Sequence, residues 1–329
     1  MGTLPAPCSP NGLAFDAAGD LFVADGSTET DGTTGDKIYR LTPNASAPPT
    51  ATLFASGVPG ANGIAFDRKG NLWATDGTTG QGRIWSITPQ GVVNEEFRVP
   101  PLANLVSTVA TTADGGLTTL TGGVGRDVRA LPPGTLVITD STRVAGNTAG
   151  TVPIVANGVA FDLEGNVFVA DTARGAIWKV AFDRKSGDLL SPVGCDTTFT
   201  PDTLCLKDIL VQHALLEGLD GIVLDVAGNI WGAANERNAL VLVTQSGRVN
   251  EFVRNPPDPT SQLRNGGPLE FPTSPFLQGR KLCIAQSDTA RRDNFPNKAG
   301  EVGAPAPLLA KISCLDQPVL VPGLPLPVQ

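Results

Sequence analysis

One pattern of apolar and polar positions recurs along the chain. It reads NGLAFDAAGDLFVAD from Asn11, NGIAFDRKGNLWATD from Asn62, NGVAFDLEGNVFVAD from Asn157 and DGIVLDVAGNIWGAA from Asp220. In each copy, apolar residues alternate with small or polar ones on both sides of a segment rich in Asp, Gly and Asn. This pattern predicts two β-strands, A and B, joined by a tight turn. A degenerate copy, STVATTADGGLTTLT, begins at Ser107, and a worn copy, TSPFLQGRKLCIAQS, begins near Thr273.

Two further strands follow most copies. A third strand, C, is predicted at Lys37–Leu41, Arg83–Ile87 and Ala176–Val180, and a weaker fourth, D, at 51–54 and 250–253. A unit of four antiparallel strands that recurs every 45 to 63 residues is typical of a propeller blade. We therefore predict an all-β fold, a six-bladed β-propeller of four-stranded antiparallel blades. Residues 1–329 form one domain, with blades that start near residues 11, 62, 107, 157, 220 and 273.

This topology assigns polar residues to the two ends of the central channel. The residue that opens strand A and the residue that closes strand B lie at the same end, which we call the top. The residues that close strand B are Asp25, Asp76, Asp171 and Asn235. A second set of aspartates lies in the A–B turns at the bottom, where we interpret them as turn-formers: Asp16, Asp67, Asp162 and Asp225. The recurring tryptophans are interpreted as blade packing rather than as a platform for sugar stacking: Trp73, Trp85, Trp178 and Trp231.

The composition excludes two classes of partner. The net charge is −8, the pI is about 4.7 and no basic run occurs, so nucleic acid is excluded as a partner. No segment approaches the roughly 18 consecutive apolar residues of a membrane helix, and we expect no membrane span. We expect a monomer that acts on a small-molecule substrate.

Cysteine usage bears on the compartment. Residues 1–10 lack the charged and apolar regions of a leader, which leaves either a cytoplasmic protein or a trimmed leader. Cys283 on strand B and Cys314 on strand C of the last blade are expected at similar heights, which allows a cross-strand disulfide. Cys195 and Cys205 flank a short loop and form a second candidate pair. Two such pairings favour a secreted or periplasmic protein over a cytoplasmic one.

The residues that open strand A form a candidate metal site. Pseudo-symmetry directs four side chains at the channel axis: Asn11, Asn62, Asn157 and Asp220. Neutral amide oxygens with one carboxylate suit Ca²⁺ better than Zn²⁺ or copper, although another divalent metal remains open. Asn104, which precedes the poor ligand Ser107, could also reach the ring. The alternative is that each Asn before Gly only caps the preceding turn.

The phrases PIVANGVAFD…NVFVADT and LDGIVLDVAGNIW resemble blades of the gluconolactonase/regucalcin superfamily of six-bladed propellers. Its wider relatives include diisopropylfluorophosphatase, paraoxonase and strictosidine synthase. In metal-dependent members, a divalent ion at the channel top is held by a Glu, one or two Asn and an Asp. The resemblance implies that Asn157 and Asp220 are ligands and that Asp220 is also a general base. The first-blade Glu of the family has no match, because Asn11 occupies its place.

The resemblance implies a hydrolase that combines a Lewis acid with a base for water. Asp220 is the first candidate base, and Asp171 is the second. His213, the only histidine, lies on the connection to Asp220 and is interpreted either as a loop residue or as a group beside the site. Arg291 and Arg292 could hold a substrate carboxylate or could simply be solvated, and Asn104 and Asn235 are further candidates for substrate contact.

Three functions are therefore compatible with the sequence. The first is a Ca²⁺-dependent hydrolase of a lactone or related ester. The second is a non-catalytic secreted propeller that Ca²⁺ stabilises and that binds a ligand or a protein. The third is a condensing enzyme or lyase similar to strictosidine synthase. Fold alone does not choose among them.

Overall fold

The structure is a computed structural model. It describes residues 4–5, 10–26, 35–43, 47–77, 79–101, 108–111, 117–121, 154–183, 185–186, 189–191, 203–257, 259, 264, 266–287 and 311–316. Several residues with a predicted role lie outside these ranges: Cys8, Asn104, Ser107, Cys195, Arg291 and Arg292.

The described residues form antiparallel sheets in chain order. Blade 1 comprises β1 (Pro10–Phe15), β2 (Leu21–Asp25), β3 (Lys37–Leu41) and β4 (Ala51–Ser56). Blade 2 comprises β5 (Ala61–Phe66), β6 (Leu72–Asp76), β7 (Arg83–Ile87) and β8 (Val93–Arg98). The third copy contributes only the hairpin of β9 (Thr108–Thr111) and β10 (Leu117–Thr121).

The second half of the chain continues in the same way. Blade 3 comprises β11 (Val159–Phe161), β12 (Val167–Asp171), β13 (Ala176–Val180) and β14 (Ile209–Gln212). Blade 4 comprises β15 (Leu219–Leu224), β16 (Ile230–Ala234), β17 (Ala239–Val243) and β18 (Val249–Arg254). Blade 5 comprises β19 (Pro272–Gln278), β20 (Lys281–Gln286) and β21 (Lys311–Asp316). Short 3-10 helices span Leu206–Asp208, Ala214–Leu216 and Asn235–Arg237. The predicted C strands are confirmed to the residue.

The prediction of an all-β propeller with four-stranded antiparallel blades is confirmed, whereas the number of blades is wrong. The described residues form five blades, not six. Inner strand β5 of blade 2 packs directly against inner strand β11 of blade 3, so the third copy does not lie between them. The Thr75 hydroxyl of blade 2 donates to the Asn157 carbonyl of blade 3. Outside the channel, Arg98 at the end of β8 pairs with Thr203 in parallel.

The reason for this order is the Gly that follows the opening residue of strand A. A Cβ added at Gly12, Gly63, Gly158 or Gly221 would lie within 2.6 Å of the opening carbonyl oxygen of the next blade. Only glycine permits so close an approach of two backbones. The third copy has Thr108 in this position, and the β-carbon of a threonine does not fit the gap. The last copy has Ser274 in this position. Ser274 is exposed, and no further described blade follows it.

The hydrophobic core is divided among the interfaces between consecutive blades. Separate clusters of buried side chains join blade 1 to blade 2, blade 2 to blade 3, blade 3 to blade 4 and blade 4 to blade 5. All four tryptophans are buried in these interfaces or within the blades. Their interpretation as packing residues is confirmed.

The A–B turns are held by the aspartates that the sequence assigned to them. The Asp67 carboxylate accepts hydrogen bonds from the Lys69 and Asn71 amides at 2.8 and 2.9 Å and from Trp73 Nε1 at 3.0 Å. Asp225 repeats the arrangement with the Asn229 amide at 2.9 Å and Trp231 Nε1 at 3.0 Å. The interpretation of these aspartates as turn-formers is confirmed.

One of the two candidate disulfides is confirmed. Cys283 and Cys314 are directly opposite on β20 and β21 and are bonded to each other. Cys205 is also disulfide-bonded, whereas Cys195 lies outside the described ranges. Within the part of the chain that the structure describes, no helix is long and apolar enough to cross a membrane.

The close approach of neighbouring inner strands predicts that a methyl group added at one of these glycines lowers the stability of the protein. We expect Gly63→Ala to destabilise the protein by about 1–3 kcal/mol, because its Cβ would collide with the Asn157 carbonyl and force the two strands apart. Gly266→Ala is the matched control, because a Cβ there meets nothing within 4 Å. Urea unfolding of both variants measures the difference. Equal midpoints would contradict the proposed contact between blades 2 and 3.

Candidate functional site

The top of the inner strands carries a β-bulge that positions the candidate site residues. In blades 1, 2 and 4 the pairing of strand A with strand B slips between the residue before the opening Asn or Asp and the residue directly after its Gly. A bulge of this kind turns a side chain away from the regular face of the sheet. In these three blades the local structure therefore aims the opening residue across the end of strand B.

The opening residue faces the residue fifteen positions later, which follows strand B. The side chains of Asn11 and Asn62 lie against glycines, Gly26 and Gly77. In blade 3, Asn157 Nδ2 donates to Thr172 Oγ1 at 3.0 Å. Polar pairs at this position occur in blade 3 and, as described below, in blade 4, so the polar chemistry concentrates in these two adjacent blades.

Blade 4 contributes the carboxylate of the site. Asn235 Nδ2 donates to Asp220 Oδ2 at 3.1 Å, and Asn157 of blade 3 also hydrogen-bonds to the Asp220 side chain. Burial of the carboxyl group raises the pKa of Asp220 to about 7, and the hydrogen bonds from Asn235 and Asn157 oppose this increase. Part of the Asp220 residue remains accessible to solvent. The group can therefore accept or release a proton near neutral pH.

Asn157 has an acceptor atom that no described group satisfies. Its side chain is 3% exposed, its Nδ2 is used by Thr172, and its Oδ1 has no hydrogen-bond partner in the part of the chain that the structure describes. Leaving a buried acceptor unpaired costs about 1–3 kcal/mol, which a bound ligand, cation or water would recover. Asn157 Oδ1 and the Asp220 carboxylate thus form a neighbouring pair of oxygen acceptors.

These acceptors define how far the site fits a calcium ion. Oxygen atoms of Asn157, Asp220 and the buried Asn62 are the donor type that Ca²⁺ prefers. Asn11 is exposed on β1, and the described residues contain no group of three or more His, Cys, Asp or Glu side chains that could hold a metal. The residues fit an oxygen-liganded cation with a single carboxylate ligand.

The structure gives Asp171 and His213 hydrogen bonds within their own blade or loop. Asp171 is fully buried and its carboxylate receives three hydrogen bonds, from the Arg174 amide and Nη1, both at 2.8 Å, and from Trp178 Nε1 at 3.1 Å. His213 caps the helix Ala214–Leu216, because its Nδ1 accepts from the Leu215 amide at 3.1 Å. Burial, assisted by the charge of Arg237, lowers the pKa of His213 and keeps the imidazole neutral. Asn235 contacts Asp220 directly.

Thr172 is a candidate site residue that the sequence reasoning missed. Its Oγ1 accepts from Asn157 and donates to the Leu219 carbonyl of blade 4 at 2.6 Å, so it joins the two blades beside the site. The fifteen-residue spacing that relates Asn157 to Thr172 also relates Asp220 to Asn235. Alignment of the repeats at this position would have identified Thr172.

Comparison with known proteins gives the relationship of the chain. The family described as SMP-30/Gluconolactonase/LRE-like region matches residues 126–269, a segment that includes Asn157 and Asp220. The matched segment is less than half of the chain, and over that segment the chain is similar to this family. No curated protein matches it.

Solved structures are similar to this chain at low sequence identity. A calcium-binding protein, regucalcin, from Agrobacterium tumefaciens is 16% identical with a TM-score of 0.52, over 98% of this chain and 80% of that one. A luciferin-regenerating enzyme is 11% identical with a TM-score of 0.54, over 97% of this chain and 95% of that one. A gluconolactonase from Xanthomonas campestris is 14% identical with a TM-score of 0.43, over 85% and 70% of the two chains. The first two likenesses show the propeller fold.

The buried ion pair of Asp171 provides a test of its structural role. We expect Asp171→Ala to destabilise the protein by about 3–5 kcal/mol, because Arg174, which is 2% exposed, would lose its partner and remain buried. Chemical unfolding of this variant and of Arg174→Met with Asp171→Leu measures the effect. Recovery of most of the stability in the double variant would support a pair that only packs the blade. A stable Asp171→Ala protein would contradict this role.

Proposed function

We propose that this protein hydrolyses a lactone or a related ester at the top of blades 3 and 4. The observation that carries the proposal is the enclosed Asp220 carboxyl group, whose pKa of about 7 suits a general base at neutral pH. The superfamily relationship supports a small-molecule substrate and a lactonase-type reaction.

The reaction follows from the groups at the site. A water molecule adds to the substrate carbonyl, and its proton passes to the Asp220 carboxylate. The bond from the carbonyl carbon to the ring oxygen then breaks, and Asp220 returns the proton to the leaving oxygen, which yields a hydroxy acid. Asn235 holds Asp220 Oδ2 in place, and Thr172 holds the Asn157 amide so that Oδ1 remains free. Asn157 and Asn235 thereby orient the acceptors that meet the substrate.

The proposed cofactor is a Ca²⁺ ion, held by Asn157 Oδ1, Asp220 and Asn62. When bound, such an ion would polarise the carbonyl and stabilise the negative charge on its oxygen. The disulfide of Cys283 and Cys314 favours an oxidising compartment, and we propose that the protein is secreted or periplasmic and acts as a monomer.

The alternative proposal is a non-catalytic propeller that binds a ligand at the same end. The observation in its favour is the exposed Asn11 in the place of the acidic residue of metal-dependent relatives, since within the described ranges no group of three or more His, Cys, Asp or Glu side chains could hold a metal. Activity against any lactone or ester that depends on Asp220 distinguishes the two proposals. A condensing or lyase reaction would be indicated by consumption of such a substrate without release of an acid.

An activity screen tests the hydrolase proposal. We expect hydrolysis of some member of a panel of γ-lactones, δ-lactones and aryl esters. The assay measures the acid that is released at pH 8. Asp220→Asn should lower kcat/KM by on the order of 10²–10⁴-fold, because the water then lacks a base. Asp316→Asn, which removes an exposed carboxylate at the end of β21, should retain activity. Undiminished activity of Asp220→Asn would refute the assigned base, and an inactive wild type across the panel would favour the binding propeller.

The pKa of Asp220 also predicts a pH-dependent stability. The folded protein keeps the proton up to a pH of about 7, whereas the unfolded chain loses it near the model value of 3.8. The stabilisation of the folded state by the bound proton of Asp220 is therefore present below pH 4 and is lost as the pH rises to 7. In protein treated with a chelator, Asp220→Asn should become more stable than wild type as the pH rises from 4 to 8. The ceiling is about 4 kcal/mol, since one pKa unit corresponds to about 1.4 kcal/mol, and solvent access reduces it.

Thermal unfolding at pH 4 and pH 8 measures this difference. Added calcium should then raise the Tm of wild type at pH 8 and leave Asp220→Asn unchanged. A calcium effect of equal size on both proteins would place the ion elsewhere.

A further inference from the structure

A cleft of about 390 Å³ opens between blades 3 and 4 at the bottom, the end opposite to Asn157 and Asp220. Five apolar residues from four strands and one A–B turn line it, beside charged and polar ones such as Asp225, Thr244 and Gln245: Phe168, Leu210, Leu224, Val226 and Ile230. Lys179 and Asp162 lie at its mouth, with Nζ and Oδ2 3.9 Å apart. The other interfaces of the same propeller explain why this one is open.

An aromatic residue occupies the second position of strand B in the first four blades. In blade 1 this residue, Phe22, packs edge-on against two other rings, Phe54 at 4.8 Å and Phe66 at 5.1 Å between centroids. Phe54 lies at the bulge of strand D, and Phe66 ends strand A of the next blade. The interface between blades 1 and 2 is thus filled by three rings.

The same position is enclosed by rings in blades 2 and 4. Trp73 of blade 2 packs edge-on against Phe161 of the next blade and against Phe182, both at 5.6 Å. Trp231 of blade 4 packs edge-on against Phe252, the bulge residue of β18, at 5.0 Å. Each of these interfaces supplies at least one ring to the aromatic residue of strand B.

Blade 3 has aliphatic residues in both places. Leu210 is the bulge residue of β14, where Phe54 and Phe252 stand in their blades. Leu224 ends strand A of blade 4, where Phe66 and Phe161 stand in theirs. In the described part of the chain, Phe168 accordingly has no ring beside it; it packs among aliphatic side chains, and Lys179 Nζ lies 5.4 Å from its centroid. The missing rings leave the cleft.

We propose that this cleft binds a small uncharged aromatic molecule of the size of indole, which packs edge-on against Phe168. The sister interfaces show that ring edges fit this wall, and such contacts contribute about 0.5–1.5 kcal/mol beyond burial. An apolar cavity of ~150 Å³ already accommodates benzene, so the cleft has room for a bicyclic ring.

The charges at the mouth select against an anionic ligand. Among the residues that line the cleft, Asp162, Glu164 and Asp225 carry carboxylates and Lys179 carries the one basic group, 3.9 Å from Asp162, so carboxylates are in excess. A carboxylate on the ring would approach Glu164, whereas an N–H group could donate to the carboxylates at the rim. Indole should therefore bind more tightly than indole-3-carboxylate. This site is independent of the reaction proposed for the opposite end.

Calorimetric titration with indole tests the proposal, with saturation-transfer NMR as a second readout. Wild type should bind one equivalent, and Leu224→Phe should weaken binding by at least about tenfold, because the new ring fills the cleft as Phe66 does in blade 1. Leu53→Phe is the matched control, since it adds the same ring at a site on β4 that is 58% exposed, and it should leave binding unchanged. Leu210→Phe replaces Leu224→Phe if the latter fails to fold.

A second variant opens the equivalent space elsewhere. Phe54→Leu with Phe66→Leu gives the interface between blades 1 and 2 the residues of the cleft, and it should add a second equivalent of bound indole. No saturable binding to wild type, or equal binding to wild type and Leu224→Phe, would overturn the proposal.

Discussion

Neighbouring inner strands approach so closely at the top of the channel that the residue after each opening Asn or Asp has no room for a β-carbon. The backbone of one blade then touches the backbone of the next, and the Gly158 amide donates to the Asp220 carbonyl at 3.2 Å. Side chains from the end of strand B reinforce the contact, as Thr172 does with the Leu219 carbonyl. In the described part of the chain, each blade that is followed by a neighbour has a glycine at this position.

The same bulge that brings the strands together also builds the candidate site. It turns the opening side chain across the end of strand B, where the residue fifteen positions later decides what that side chain meets. Glycine in blades 1 and 2 leaves the asparagines against backbone, whereas Thr172 and Asn235 bind Asn157 and Asp220. The same position of the repeat thus carries polar side chains in two adjacent blades, because Thr172 and Asn235 replace the glycines of blades 1 and 2. Burial of Asp220 between them raises its pKa into the range in which a carboxylate can exchange protons.

The repeats also act as internal comparisons for packing. Three interfaces place rings around the aromatic residue of strand B, and the fourth has Leu210 and Leu224 in those places and is open. The two ends of the interface between blades 3 and 4 therefore differ in kind. The top carries hydrogen-bonded polar groups, and the bottom carries a cleft that combines apolar side chains with an excess of carboxylates.

The sequence by itself determined the local structure of this protein. Alternation of apolar residues around Asp-Gly-Asn turns predicted the paired strands, the bounds of the C strands, the turn-forming role of Asp67 and Asp225 and the pair of Cys283 and Cys314, because these features depend on contacts close along the chain or between adjacent strands. Only the tertiary structure decided the number of described blades, since a copy joins the ring only if its backbone can meet a neighbour that is distant in sequence. It also decided that Asp171 is enclosed by Arg174 and Trp178 while Asp220 meets Asn157 and Asn235. Both aspartates lie near the same end of adjacent blades in the sequence pattern, and their difference arises from which side chains the packing of the blades brings against them.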